Sequence, residues 1–507
     1  MPTKNGKICA VVAEHTVETA RAAIRRAPEF GADLIELRLD YLRDFDFSDS
    51  AALARLLDKR TVPVIITCRA IEEGGYQRVD DRTRMRLLIE GVRQGADYCD
   101  IEATYYKLAA DLEPDPSRTI ISYHDFEPKP HDIDKIYEDL CKLPAAVYKI
   151  VTMASDVPDV LPTFRLIDRA KAEGRTVIAL SMGKSGTMTR VIGPMRGAWL
   201  SYATLDGARG SAPGQLSCQQ LAHVFRLNEL SERTAVAGVI GQPVGHSVSP
   251  EMHNAAMAAE GVDAVYLPID VSDVRQFFRL FVDPKTRKVD WPMLGFSVTI
   301  PHKMVAMEVV DELEAAAQAV GALNTIVIRE GRLIGYNTDV EAAIQPLERA
   351  CALSKEKVAV LGAGGSARAV LYGLQHRGIE TTVFARNPDR AQAVASRFGT
   401  PVKPLEDLAS SNATIVINAT PVGMRGHSEG SSPVDINALR GRRIAYDLVY
   451  NPIDTGFLKL AKEAGVQTIG GLDMLVGQAG LQFQLWTGKP APIDIMRAAA
   501  LAKLTRE

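Results

Sequence analysis

Lys357-Val358-Ala359-Val360-Leu361-Gly362-Ala363-Gly364-Gly365-Ser366-Ala367-Arg368 is a short run of Val, Ala and Leu that opens directly into a glycine-rich loop. It reads as a strand, a tight loop and the start of a helix. That order suits a dinucleotide phosphate: small residues let the backbone approach it, and the helix N-terminus attracts its charge. Tight turns use the same residues; the strand–loop–helix context favours the phosphate reading. A helix is expected before it, across Thr338–Ala352, and strands after it at Thr381–Ala385, Thr414–Asn418 and Arg443–Leu448.

Moving toward the N-terminus, another α/β alternation runs from Ala235 to about Thr338. It begins with the strand Ala235–Gly241, a Gly/Ser/Pro loop and a helix near Pro250–Glu260. Before that, short β-branched runs lie at Ile8–Val12, Leu34–Leu37, Val64–Cys68, Tyr98–Ile101, Thr119–Tyr123, Ala146–Val151, Thr176–Leu180 and Leu200–Tyr202. Between them, stretches such as Thr16–Arg26, Thr83–Arg93 and Asp159–Ala172 have helical spacing of apolar positions. Strands alternating with helices in this number form a (β/α)8 barrel. The chain is therefore expected to be α/β throughout. A TIM barrel would span 1–230, an α/β domain 231–338, and a Rossmann-type domain with C-terminal helices 339–507.

With 507 residues, 46% hydrophobic and 24% charged, wholesale disorder is excluded. A net charge of −3 gives no electrostatic reason for a nucleic-acid partner or an acidic membrane. Six cysteines without a C-x-x-C pair point to a reducing compartment, with no zinc or other metal site. No apolar run approaches the roughly 18–20 residues of a membrane helix. Only Met1 to Gly6 precede the first strand, which leaves no room for a leader peptide.

Polar residues gather at the C-terminal ends of the barrel runs, where barrel enzymes place their sites. They are Glu36 and Arg38, Arg69 and Glu73, Glu102, His124 and Asp125, Arg190, and the segment Ser211–Gln215. Lys149 sits inside the apolar run Ala145–Val151. Burial should push it toward the neutral amine, and the cations Arg38, Arg69 and Arg190 should push it further. A neutral amine forms a Schiff base with a ketone; the competing reading is a strand-edge lysine that snorkels to solvent. His124 suits the proton shuttle for such a Schiff base, with Glu73 fixing its tautomer. The arginines could also form inconsequential surface pairs. An anionic keto substrate accounts for all these residues at once.

Glu36-Leu37-Arg38, Cys68-Arg69 with Glu72-Glu73-Gly74-Gly75, Ser122-Tyr123-His124-Asp125, Lys149-Ile150-Val151 and Ser211-Ala212-Pro213-Gly214-Gln215 together resemble type I 3-dehydroquinate dehydratase, over about residues 5–228. The resemblance implies an imine between Lys149 and the C3 ketone. It implies that His124 is the general acid/base, that Glu73 supports it, and that Arg190 holds the substrate carboxylate. Glu36, Arg38, Arg69, Ser211 and Gln215 would line the pocket.

The second half carries Gly245-His246-Ser247-Val248-Ser249-Pro250, whose serines could bind a carboxylate or cap the helix at Pro250. Lys303 and Asp339, placed together beside a hydroxyl, could relay a proton during hydride transfer. With Thr299 to Lys303, Gly321–Thr325, Asn337–Asp339, Asn418-Ala419-Thr420-Pro421 and Gly471–Gln478, these segments resemble shikimate dehydrogenase as far as about residue 488. By that resemblance Lys303 and Asp339 are the catalytic pair. Ser247, Ser249, Thr299, Asn324, Tyr450 and Gln478 would contact shikimate. Gly362, Ala363, Gly364, Gly365, Ser366, Ala367, Arg386, Asn418 and Thr420 would hold NADP(H). Two positions depart from the family: Ser297 stands where many relatives have Asn, and its Asn-Arg-Thr/Ser motif reads Ala385-Arg386-Asn387.

The strand Thr381–Ala385 ends without the carboxylate that binds the ribose of NAD, and Arg386 and Arg390 follow it. Guanidinium groups clasp a 2′-phosphate, so NADP is expected; the other reading makes them solvated residues opening a helix near Pro388. The joined halves are similar to the plant-type bifunctional family that converts 3-dehydroquinate to 3-dehydroshikimate and then to shikimate. A monomer of the cytoplasm is expected, or of the plastid stroma for a processed plant-type chain, with no nucleic-acid or membrane partner. A quinate preference stays open, since apolar pockets reject an added hydroxyl poorly.

Overall fold

The computed structural model describes residues 6–49, 51–127, 132–205 and 212–506. The chain forms two compact units: 1–236 with 243–245 and 263–292, and 237–242 with 246–262 and 293–507.

In the first unit the strands β1 (Lys7–Val12), β2 (Leu34–Arg38), β3 (Val64–Thr67), β4 (Tyr98–Glu102), β5 (Thr119–His124), β6 (Val147–Met153), β7 (Val177–Met182) and β8 (Leu200–Thr204) follow the eight expected runs to within two residues. They pair in parallel from β1 through β7, and β8 pairs with β1 and with the short β9 (Leu216–Ser217). Between β7 and β8 the ladder lapses, and Trp199 N–H donates to Val177 O at 2.8 Å. Helices and 3₁₀ turns separate the strands, as in a TIM barrel. Local signals fix their starts: Asp80, for example, accepts the N–H groups of Arg82 and Thr83 to cap the helix Asp81–Arg93.

Side chains on a strand alternate between faces, and one parity builds the barrel interior. Cys9, Val11, Leu34, Ile65, Ile120, Val147, Ile178 and Leu200 form its apolar floor. Two or four residues further along the same strands, that parity presents Glu36, Arg38, Asp100, Glu102, Ser122, His124, Lys149 and Tyr202. Burial of the floor and burial of the charges are therefore one property of the register.

The strand β11 (Ala264–Asp270) lies in the 263–292 segment of the first unit. The second unit contains two sheets. In one, β10 (Ala235–Gly241), β12 (Met293–Val298), β14 (Thr325–Arg329), β15 (Arg332–Tyr336) and β13 (Glu312–Leu313) stand in that order. The other is parallel, in the order β18 (Val402–Pro404), β17 (Glu380–Ala385), β16 (Lys357–Leu361), β19 (Ile415–Asn418), β20 (Ile444–Asp447) and β21 (Gln467–Ile469). Its order reverses beside β16, the switch point at which such sheets bind ligands. The helices Asp339–Ala350 and Gly365–His376 cover this sheet, and Gly373 lets them close on Ile344.

Ile344 is fully buried in that contact. Ile344→Ala should destabilise the second unit by about 2–5 kcal/mol, the usual cost of a core cavity, measured as a lowered urea midpoint.

Candidate active sites

The polar end of the barrel encloses a cavity of about 80 Å³ lined by Glu36, Arg38, Arg69, Glu73, His124, Phe126, Lys149, Arg190, Tyr202 and Gln215, among others. All of these are expected site residues except Phe126 and Tyr202. Ser211 lies outside the described residues. Lys149, on β6, is 3% exposed. Its Nζ donates to Asp100 Oδ2 at 2.8 Å and to Glu36 Oε1 at 3.3 Å, and stands 4.3 Å above the Tyr202 ring. Beside the expected cations Arg38, Arg69 and Arg190 the structure thus sets two carboxylates in direct contact with the amine. A buried ammonium needs counter-charge, and β2 and β4 place carboxylates in the same layer.

Arg69 donates to Asp100 Oδ2 at 2.8 Å and to Ser122 Oγ at 2.9 Å, and lies 3.3 Å from Glu102 Oε1. Glu102 also takes Arg84 at 2.6 Å. Arg38 is held by Asp40 through two bonds of 2.9 and 2.7 Å. Asp40 also accepts the N–H groups of Arg69 and Tyr76, and these donors keep its carboxyl below the usual range despite burial. Arg69 and Lys149 do the same for Asp100.

His124 Nδ1 meets Glu73 Oε2 at 2.9 Å. Burial, Arg69 and Lys149 hold the imidazole well below its ordinary value, so it is neutral at pH 7. Burial pushes Glu73 up to about 7. Near neutrality it is therefore the Glu73 carboxyl, and not the imidazole, that changes protonation. Arg190, 1% exposed, has no carboxylate within ion-pair distance among the described residues. It reaches only backbone, Tyr202 O at 3.4 Å and Pro213 O at 3.3 Å, and burial lowers it to about 10. A buried guanidinium without a counter-ion on the cavity wall favours an anionic guest.

In the second unit Lys303 Nζ donates to Asp339 Oδ2 at 2.6 Å. Asp339 is the first residue of its helix, and Asn324 Nδ2 donates to its other oxygen at 2.8 Å. Asn324 also donates to Thr338 Oγ1 at 2.9 Å and accepts from Thr338 N–H at 2.8 Å. One amide thus fixes the turn that presents the acid. Ser297 donates to Gln482 Oε1 at 2.9 Å, and Gln482 donates to Thr325 Oγ1 at 3.0 Å. The substituted serine is bonded into the wall behind Asn324.

Lys303 and Asp339 open on a cleft of about 820 Å³ that continues past Gly362–Gly365, Arg368, Arg386, Asn387, Arg390 and Thr420. Gly362 has φ +92°, and a Cβ there would stand 2.7 Å from Thr420 Cγ2. Gly364 and Gly365 face open space at the N-terminus of the helix Gly365–His376. This cradle fits a diphosphate, and the exposed Arg386, just past β17, and Arg390, in the first turn of the helix that follows, fit one further phosphate. Asn387 caps the helix Pro388–Ala395 by accepting Arg390 N–H.

Other expected contacts fall elsewhere. Asn418 is fully buried: its amide donates to Asp447 at 2.9 Å, and its oxygen accepts Thr420 N–H at 3.0 Å and Thr420 Oγ1 at 2.6 Å. It shapes the loop instead of meeting the cleft. Ala367 likewise packs into the core, while Ser366 is exposed. The cleft walls do not include Ser247, Ser249, Thr299, Tyr450 or Gln478. Ser247 Oγ accepts Ser249 N–H at 3.2 Å, and Gln478 donates to Leu475 O within its own helix at 3.0 Å. The helix cap between the serines is Val248, which makes no side-chain cap bond.

Sequence reading overlooked Asp40, Asp100, Arg84, Tyr202 and Asp447. Asp100 carried the signal that marked Lys149, a charge inside an apolar strand. Asp40 extends the alternation of Glu36 and Arg38. Asp447 ends β20 as Asn418 ends β19.

Family models match along the chain: type I 3-dehydroquinase over 8–232, the shikimate dehydrogenase substrate-binding domain over 239–326, shikimate/quinate 5-dehydrogenase over 345–423, and the shikimate 5′-dehydrogenase C-terminal domain over 471–501. A chloroplastic bifunctional 3-dehydroquinate dehydratase/shikimate dehydrogenase of Arabidopsis thaliana is 32% identical, covering 96% of this chain and 83% of the relative. A shikimate dehydrogenase (NADP(+)) of Oleidesulfovibrio alaskensis is 40% identical, covering 52% of this chain and 92% of its own length. A Thermus thermophilus shikimate 5-dehydrogenase, solved with NADP(H) and shikimate, aligns over 53% of this chain and 100% of its own, at 36% identity and TM-score 0.49.

Gly362→Ala would force a left-handed turn on an L side chain and press Thr420 into the cradle. At about 1–3 kcal/mol for such strain, dinucleotide affinity should fall roughly tenfold or more, read by fluorescence titration.

Proposed function

The chain belongs to the family of bifunctional 3-dehydroquinate dehydratase/shikimate dehydrogenases, and from that membership we propose which residues carry each of its two reactions. The first dehydrates 3-dehydroquinate to 3-dehydroshikimate. The second reduces that product to shikimate with NADPH. The observation that carries the reading is Lys149, buried in a barrel cavity beside a neutral histidine and an arginine without a carboxylate partner.

In the barrel, Arg190 takes the substrate carboxylate. Lys149 gives one ammonium proton to Glu36, 3.3 Å away, and its lone pair adds to the C3 carbonyl carbon. The oxygen leaves as water, taking that proton back from Glu36 and a second from the nitrogen, which ends as a protonated imine. His124 removes a C2 proton, whose bonding electrons move toward the imine nitrogen and give an enamine. As those electrons return, the C1 hydroxyl takes the proton from His124 and leaves as water. Hydrolysis then frees the product and restores the lysine. Glu73 orients the imidazole through Nδ1, leaving Nε2 for the substrate.

In the second unit, NADPH held in the cleft would supply a hydride to the ketone carbon. Lys303 donates the proton that the developing alkoxide needs, and Asp339 holds the lysine and relays the replacement proton. The cradle at Gly362–Gly365 and the first-turn N–H groups would hold its diphosphate, and Arg386 would meet its 2′-phosphate. Ser247, Ser249, Thr299, Asn324, Tyr450 and Gln478 remain the proposed shikimate contacts, by family resemblance. A monomer remains the proposed state. Six free cysteines support a reducing compartment, cytoplasm or plastid stroma, and no described helix is long and apolar enough to cross a membrane.

Borohydride with 3-dehydroquinate should trap an adduct on Lys149. Lys149→Ala should abolish it and lower dehydration on the order of 10³-fold or more while sparing shikimate oxidation. Lys303→Ala should do the reverse. An adduct on another lysine, or loss of both activities in either folded variant, overturns the assignment.

Arg386→Ala should raise the KM for NADPH roughly ten- to a hundredfold, from about 1.5–3 kcal/mol for a hydrogen bond to a charged group. The KM for NADH should hardly change, and the unaltered enzyme should favour NADPH. Equal use of both cofactors by the unaltered enzyme contradicts this reading.

A further inference from the structure

Tyr202 fits none of the roles assigned so far. It is buried on β8 in the cavity wall, and its ring centroid lies 4.3 Å from Lys149 Nζ. Its hydroxyl has no hydrogen-bond partner among the described residues. A buried phenol usually finds a partner, so the oxygen does not explain the residue; the ring face does. A cation within about 6 Å of an aromatic centroid is attracted by the ring quadrupole, more strongly when both are desolvated.

The surroundings of Lys149 sort by sign. Asp100 and Glu36 bond the nitrogen from β4 and β2. Arg69, just past the end of β3, is paired with Asp100, and His124 from β5 is held neutral. Cys9 from β1 is a thiol, pushed well up by burial. The aromatic face completes this arrangement from β8.

An imine withdraws electrons from C2 effectively only while its nitrogen is protonated. We propose that Tyr202 is a positioning residue of the dehydratase, its ring face fixing the Lys149 nitrogen and favouring that nitrogen in its charged, iminium form. This rests on the imine reading of Lys149. No proton or bond changes at Tyr202; its contribution is the electron density of the ring. The phenol itself stays protonated, since burial holds it well above its ordinary value.

The test changes that density while keeping the shape. Tyr202→Phe should retain kcat for dehydration within about twofold, since the ring remains. Replacing that phenylalanine by analogues with one, two and three ring fluorines should lower kcat stepwise, to about a tenth in total, with a smaller change in KM. Tyr202→Leu should resemble the most fluorinated analogue, and circular dichroism should show the fluorinated proteins folded as the unaltered one. A flat fluorine series, or a loss already complete in Tyr202→Phe, overturns the inference. Borohydride trapping on the unaltered protein keeps the two questions apart. An adduct on Lys149 with a flat series sinks only the role of Tyr202, whereas no adduct on Lys149 sinks the imine reading beneath it.

Discussion

The carboxylate of Asp100 accepts Lys149 and Arg69 on one oxygen, each at 2.8 Å, and Ser122 on the other at 2.6 Å, with no exposure to solvent. Most of the barrel's chemistry depends on this junction. An isolated charge in an apolar interior costs far more than a folded domain can spare. The interior can hold several cations only because carboxylates are interleaved with them. Removing one member would strand the others, as breaking a buried pair costs about 3–5 kcal/mol. Arg190 stands outside this compensation: buried on the cavity wall, it bonds backbone carbonyls and has no carboxylate partner among the described residues.

The second unit solves a different problem. Its reactive pair is partly open, at 28% and 12% side-chain exposure for Lys303 and Asp339, so solvent bears part of the electrostatic cost. Precision comes instead from amides bracketing loops. Asn324 ties the Asp339 turn to the strand beside it. Asn418 ties Thr420 to Asp447, which in turn accepts Val449 N–H and Thr455 Oγ1. Thr455 also caps the helix Gly456–Glu463. Burial pushes Asp447 up to about 6, so its ionised form is maintained mainly by these three donors.

Much of this was legible in the residues, and the limits have physical causes. The barrel strands were visible because strands buried on both faces read as unbroken apolar runs. Lys149 stood out as a charge inside such a run, and Arg190 as a cation following the seventh. Which carboxylate faces Lys149 was not legible, because pairing across the barrel depends on the register of strands far apart in sequence. Asp100 is 49 residues from Lys149. The small strands β13, β18 and β21 were missed because two or three residues carry no period. Asn418, expected as a cofactor contact from its motif, is fully buried and bonds Thr420 and Asp447, partners that a motif reading does not name.

The lapse between β7 and β8 bears on how the barrel breathes. Elsewhere around the first unit, each strand from β2 to β6 is stitched on both sides, and opening any of them must break two ladders. At this one seam the edges of β7 and β8 lack a continuous ladder. Local opening follows the fewest bonds, so the closed ring behaves mechanically as a clasped band. Tyr202 and the carbonyl that receives Arg190 are carried on β8, at the clasp. The residue that faces Lys149 with its ring and Arg190 with its carbonyl therefore stands beside the seam with the fewest ladder bonds.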